Sequence, residues 1–165
     1  MVKVENIIKK LKAILIVTAI LLLAACSQQD EINYFSSKEE ALEHFIQYEN
    51  VKGNIDMFTT LNDESLLVTE PNDSTYFVGE LIEDKEGYYV KRISDNVSIT
   101  SGALWELETK ENSKYTIYIE KDKEDMNYIQ LSSGKYAVAI IDGHIITESP
   151  LSSGSVIKEV ETVKN

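Results

Sequence analysis

A single cysteine, Cys26, leaves the rest of the chain without a disulfide framework or a thiolate metal site, so stability has to come from an ordinary core. Two prolines and seven glycines, with 43% hydrophobic residues, exclude the collagen-like, low-complexity and disordered classes. Basic residues are scarce: 16 Lys and Arg face 28 Asp and Glu, a formal net charge of -12. That sign repels nucleic acid and anionic headgroups, which disfavours a polyphosphate-binding role and flat docking on a membrane. The longest apolar run, Ala13 to Ala25, holds 13 residues broken only by Thr18, short for a ~30 Å hydrocarbon core. The chain contains no Gly-x-Ser-x-Gly, Gly-x-Gly-x-x-Gly, P-loop, His-Glu-x-x-His or EF-hand pattern and no internal repeat, so no cofactor and no metal site is expected.

What is present begins at the N-terminus. Lys3, Lys9, Lys10 and Lys12 stand against a lone Glu5, and the apolar run follows them. That order is the n-region and h-region of a secretory signal peptide. The run ends in Leu23-Ala24-Ala25-Cys26, which resembles the lipobox of bacterial lipoproteins. The resemblance implies a diacylglyceryl group on the Cys26 sulfur and cleavage between Ala25 and Cys26. Two acyl chains give stable anchoring where one gives only marginal binding. In size, signal and texture the whole chain resembles the small lipoproteins of Gram-positive bacteria, a resemblance that implies no activity.

The expected layout is a signal peptide at 1–25, a lipidated tether at 26–36 and one β-rich extracytoplasmic domain at 37–165. Removing the signal takes four of the 16 basic residues and one of the 28 acidic ones, leaving a net charge of -15. The remaining 140 residues are a common size for one domain. The polar stretch Ser27 to Asn33 reaches a few tens of Å at ~3.5 Å per residue, which keeps the domain close to the bilayer.

Ser36 and Ser37 each precede a glutamate by three residues, so a capping box in either register predicts a helix ending near Asn50. Ala41, Leu42, Phe45 and Ile46 share its apolar face. From Ile55 onward short runs of Val, Ile, Tyr and Thr alternate with turn clusters, predicting up to ten antiparallel strands. The fold class expected is α+β with β predominating: one N-terminal amphipathic helix, then a meander closing into a sandwich or partly open barrel. Turns are expected at Glu70-Pro71-Asn72-Asp73 and at Asp142-Gly143, the latter leading into a strand from His144 to Thr147. Tyr136 to Ile141, apolar on both faces, predicts a central strand.

Three sets of residues invite a chemical reading. His144 and Glu148 have the spacing of a metal pair, but on a strand residues four apart lie ~13 Å from each other. The acidic loops Glu83 to Glu86 and Asp122 to Asp125 have calcium-type oxygens, yet their interleaved lysines read as solvated hairpin tips. Tyrosines 76, 88, 89, 115, 118, 128 and 136, with Trp105, fall on expected strands. They read as packing pairs, or as an aromatic patch capturing a peptide, glycan or apolar ligand. Tyr115, Ile117 and Ile119 alternate to one face, with Thr116 and Tyr118 on the other.

Together these features predict a lipid-anchored binding or accessory module, with the membrane, an envelope protein, a peptide or a glycan as partner. The alternative is a cell-envelope hydrolase using an Asp/Glu acid and base pair. The expected location is the extracytoplasmic face of the cell membrane.

Overall fold

The computed structural model describes residues 32–121, 123, 127–146 and 154–164. The signal segment, Ala25, Cys26, most of the tether, most of the Asp122 to Asp125 loop, and Thr147 and Glu148 lie outside those residues. Residues Asn33–Asn165 form one unit. Among the described residues no helix is long and apolar enough to cross a membrane.

The helix, α1, spans Lys38–Tyr48. Ser37 is its N-cap: the Ser37 hydroxyl accepts the Glu40 N–H at 3.2 Å, and the Glu40 carboxylate reaches back to the Ser36 N–H and hydroxyl. Orphan N–H groups of the first turn are thus satisfied by side chains. Ala41, Leu42 and Phe45 are buried on one face.

Ten strands follow among the described residues: β1 Ile55–Thr60, β2 Ser65–Asn72, β3 Thr75–Asp84, β4 Gly87–Arg92, β5 Val97–Ser98, β6 Gly102–Glu108, β7 Lys114–Glu120, β8 Ile129–Gln130, β9 Ala137–Asp142 and β10 Ile157–Lys164. The protein is therefore β-predominant, with antiparallel sheets and, among the described residues, one helix. The first sheet has the order β10-β1-β2-β3-β4, with β5 against the start of β3. The second has the order β6-β7-β9-β8. Hairpins link β1 to β4 in sequence, but β10 returns across the chain to pair with β1.

One cluster of buried side chains draws on both sheets: Phe58, Leu66, Val68, Tyr76 and Val78 from the first, Trp105, Tyr115, Ile117, Val138 and Ile140 from the second. A second cluster, with Ile55, Met57, Leu67 and Phe77, packs the opposite face of the first sheet against Leu42 and Phe45 of α1. The first sheet is thus buried on both faces over part of its length, and the middles of β2 and β3, Leu66-Leu67-Val68 and Tyr76-Phe77-Val78, are apolar on both. Gly79 lets the helix approach: a Cβ there would lie 3.2 Å from the Phe45 ring.

Two expectations are corrected. The segment after Asp142-Gly143 is not a strand: His144 is irregular, Ile145 and Ile146 are in a turn, and Thr147 lies outside the described residues. The side chains supply the reason, because the Thr116 hydroxyl donates to the Gly143 carbonyl at 2.7 Å and accepts the Ile145 N–H at 3.1 Å, folding the chain over β7. The turn expected at Glu70-Pro71-Asn72-Asp73 falls later, at Asp73-Ser74, since β2 runs through to Asn72. Pro71 is tolerated because the pairing with β3 shifts register between Thr69 and Asn72, and its carbonyl instead receives the Lys52 N–H at 3.0 Å.

Candidate functional site

The face of the first sheet that α1 covers is not covered evenly. Beyond Gly79 and Leu67 the next row of register partners, Glu159, Thr59, Ser65 and Leu81, runs across β10, β1, β2 and β3. These residues line a groove of about 520 Å³, together with Met57, Tyr88 of β4 and Lys38 from the first turn of the helix. The groove turns the end of the sheet at Asp63 and Glu64, between β1 and β2, and reaches Lys110 and Glu111 between β6 and β7. At that corner β2 stops: its terminal pair is Ser65 with Leu81, whereas β3 continues to Asp84, paired only with β4.

The wall chemistry is one-sided. Seven carboxylates and two lysines line the groove. Both lysines are already committed, Lys38 to Glu161 at 2.7 Å and Lys110 to Asp84 at 3.3 Å. Asp63 is paired with Lys158 outside the groove. Glu64, Glu80, Glu83, Glu111 and Glu159 have no lysine or arginine partner within salt-bridge distance among the described residues. A concave wall with this excess of one sign focuses a negative potential into the groove.

Two of these glutamates also clasp the sheets together. Glu64 accepts the Thr109 hydroxyl and the Tyr115 hydroxyl, each at 2.5 Å, and Tyr115 is further held by Asn62 at 3.0 Å and Thr60 at 3.2 Å. Both oxygens of Glu80 share one donor, the Lys110 N–H, at 3.0 and 3.2 Å. Glu80 is only 3% exposed. Burial raises its pKa above the ordinary glutamate range; the Lys110 N–H opposes that shift and the charge on Glu64 adds to it. Burial, and then the hydrogen bond to Glu64, raises the Tyr115 phenol as well.

Other buried carboxylates are internal ties. Asp56 accepts the Ser132 N–H and hydroxyl, both at 2.9 Å, and the Thr162 hydroxyl at 3.1 Å. Glu70 is bonded by Asn54, by the Ser74 N–H and by Lys135. No group of three His, Cys, Asp or Glu among the described residues is arranged to hold a metal ion.

The residues singled out in the sequence are scattered by the fold. Tyr76, Tyr115, Tyr136 and Trp105 are core side chains, and Tyr76 meets Tyr136 edge to face at 5.6 Å between centroids. Tyr89 packs edge-on against Tyr34, and of the tyrosines named above only Tyr88 lines the groove. His144 makes one contact, to the Leu107 carbonyl at 3.0 Å, which fits a structural histidine. Of the loop Glu83 to Glu86, Glu83 lines the groove and the Asp84 carboxylate accepts the Glu86 N–H at 2.8 Å. Sequence reasoning missed the groove carboxylates. One signal was there: Glu80 interrupts the apolar run Tyr76-Phe77-Val78-Gly79-Glu80-Leu81-Ile82, and a charge inside such a run needs a reason. No known protein family, curated protein or solved structure matches this chain.

Proposed function

We propose that this chain is a lipid-anchored extracytoplasmic binding or accessory module, held at the outer face of the cytoplasmic membrane by an acylated Cys26, with the acidic groove as its ligand surface. The two sheets, which share one core cluster, then form a sandwich. The observation that carries this reading is the groove itself: an open concavity of about 520 Å³ on a sheet face, lined by carboxylates that the fold leaves without cations. Leu23-Ala24-Ala25-Cys26 supports the anchoring part.

The hydrolase alternative has one observation in its favour, the presence of Glu64 and of Glu80, whose pKa burial raises, along the same groove. Against it, the oxygens of both glutamates already accept hydrogen bonds from the second sheet, which suits a clasp better than an acid and base.

The test is photo-cross-linking of the full chain in the producing bacterium, with a photoreactive residue at Thr59 or Ser65 and, as control, at exposed Asn96, which does not line the groove. Adducts from the groove positions and none from the control are expected; equal yields from all three remove the groove from the proposal. The anchoring part is read by intact mass. Cys26→Ala should abolish fatty-acid labelling and block cleavage after Ala25, and a wild-type protein with a free Cys26 thiol overturns it.

A further inference from the structure

We propose that the groove receives an extended polypeptide segment carrying lysine or arginine, an inference that rests on the groove being the ligand surface. Two independent features point to that occupant. The first is the bare strand edge at the corner. Past Leu81, β3 has β4 on one side and no strand on the other among the described residues, and Ile82 and Glu83 of that edge line the groove. Backbone N–H and C=O groups on an open edge recruit another main chain in extended form. A metal ion or a small anion has no use for them.

The second feature is charge. Three exposed wall carboxylates, Glu83, Glu111 and Glu159, lack a cationic partner among the described residues and are free to meet one. Between them the floor offers Met57, Leu81 and the Tyr88 ring. That alternation suits lysine and arginine, whose aliphatic stems lie on apolar surface while the charged heads reach carboxylates. The open edge from Ile82 to Asp84 is about 10 Å long at ~3.3 Å per residue, so the segment pairs there along the direction of β3 and its basic side chains reach outward to the wall carboxylates. Acidic partners and nucleic acid are repelled by the same wall.

The test uses the full-length chain in neutral detergent micelles and a short fluorescein-labelled peptide alternating lysine and valine, titrated at fixed ionic strength. The groove variant is Glu83→Gln/Glu111→Gln/Glu159→Gln; the charge-matched control is Glu43→Gln/Asp95→Asn/Glu108→Gln. All six positions are exposed, so both variants keep the fold, and equal melting temperatures verify it. The groove variant should bind the peptide about tenfold more weakly, from the summed worth of three partly exposed charge pairs, and the control less than about twofold more weakly. The same peptide with alternate backbone nitrogens methylated should lose at least about tenfold, because strand addition needs its N–H groups.

Equal losses in the two triple variants reduce the effect to general charge attraction and overturn the proposal. Full displacement by spermidine at equal charge concentration overturns the peptide as occupant, as does indifference to methylation. Failure of the peptide to bind, alongside selective cross-linking at Thr59, discards the basic segment and keeps the groove. Loss of both signals discards the groove as well.

Discussion

Replacing Tyr115 by phenylalanine removes one oxygen from the clasp between the sheets. The ring is fully buried at 0% exposure, and phenylalanine refills its space, so no cavity term enters. What goes is the hydroxyl that serves Glu64 at 2.5 Å, Asn62 at 3.0 Å and Thr60 at 3.2 Å. A hydrogen bond to a charged group contributes about 1.5–3 kcal/mol, and the carboxylate oxygen left behind is only partly reachable by water. Asn62 is exposed and turns to solvent at little cost. Thr60 keeps its second bond, to the Glu64 N–H at 3.3 Å. The expected loss is therefore about 2–3 kcal/mol, a sizeable share of a stability that runs to roughly 5–15 kcal/mol in ordinary domains. With a urea slope of about 1.5 kcal/mol/M the midpoint falls by roughly 1.3–2 M. Trp105, the one tryptophan and a member of the same core, reports unfolding by fluorescence. In a Glu64→Gln background the same substitution should cost about 1 kcal/mol less, because the charge that strengthened the bond is gone. A loss below about 0.5 kcal/mol, or strict additivity of the two changes, refutes the clasp.

Three further outcomes follow from the same geometry. Glu80 holds its proton more tightly folded than unfolded, so its contribution to stability is fully present below the ordinary glutamate pKa and is lost as pH rises through the raised folded value. Glu80→Gln keeps an acceptor for the Lys110 N–H, and urea midpoints should fall between pH 4 and pH 7 more steeply in the wild type than in the variant. Tyr76, at 2% exposure, has its pKa pushed up to about 12, chiefly by burial. Its contribution is intact below pH 10 and disappears as pH climbs toward 12, about 3 kcal/mol in all, which a Tyr76→Phe variant followed by circular dichroism should spare. Gly87 has φ +130, and a side chain there would run into the Phe35 carbonyl. Gly87→Ala should cost about 2–4 kcal/mol through backbone strain and loss of the paired Phe35–Tyr88 hydrogen bonds at 2.8 and 2.9 Å, with faster amide exchange at both residues.

The parts of the fold legible in the sequence are those settled within a few residues of each other. Ser37 announces α1 because its cap is local. Tyr115, Ile117 and Ile119 announce the buried face of β7 because a strand repeats every two residues. The unbroken apolar run of β9 reads as an interior strand, and it lies between β7 and β8. Pro71 and His144 misled for a different reason: the Lys52 N–H that takes up the Pro71 carbonyl and the Thr116 hydroxyl that turns the chain after Gly143 come from elsewhere in the chain. The groove is more remote still. Its floor joins β10 to β1, residues about a hundred positions apart, and no periodicity in either strand records that pairing.

That pairing also carries the largest chain-entropy cost in the sheet. Closing β10 onto β1 closes a loop spanning most of the domain, whereas the hairpins between β1 and β4 are local. Glu159 and Glu161 belong to β10, so one wall of the groove does not exist until that closure occurs. A chain whose last strand is not yet paired has its helix and hairpins available but lacks the β10 wall. An intact groove therefore reports completion of the fold.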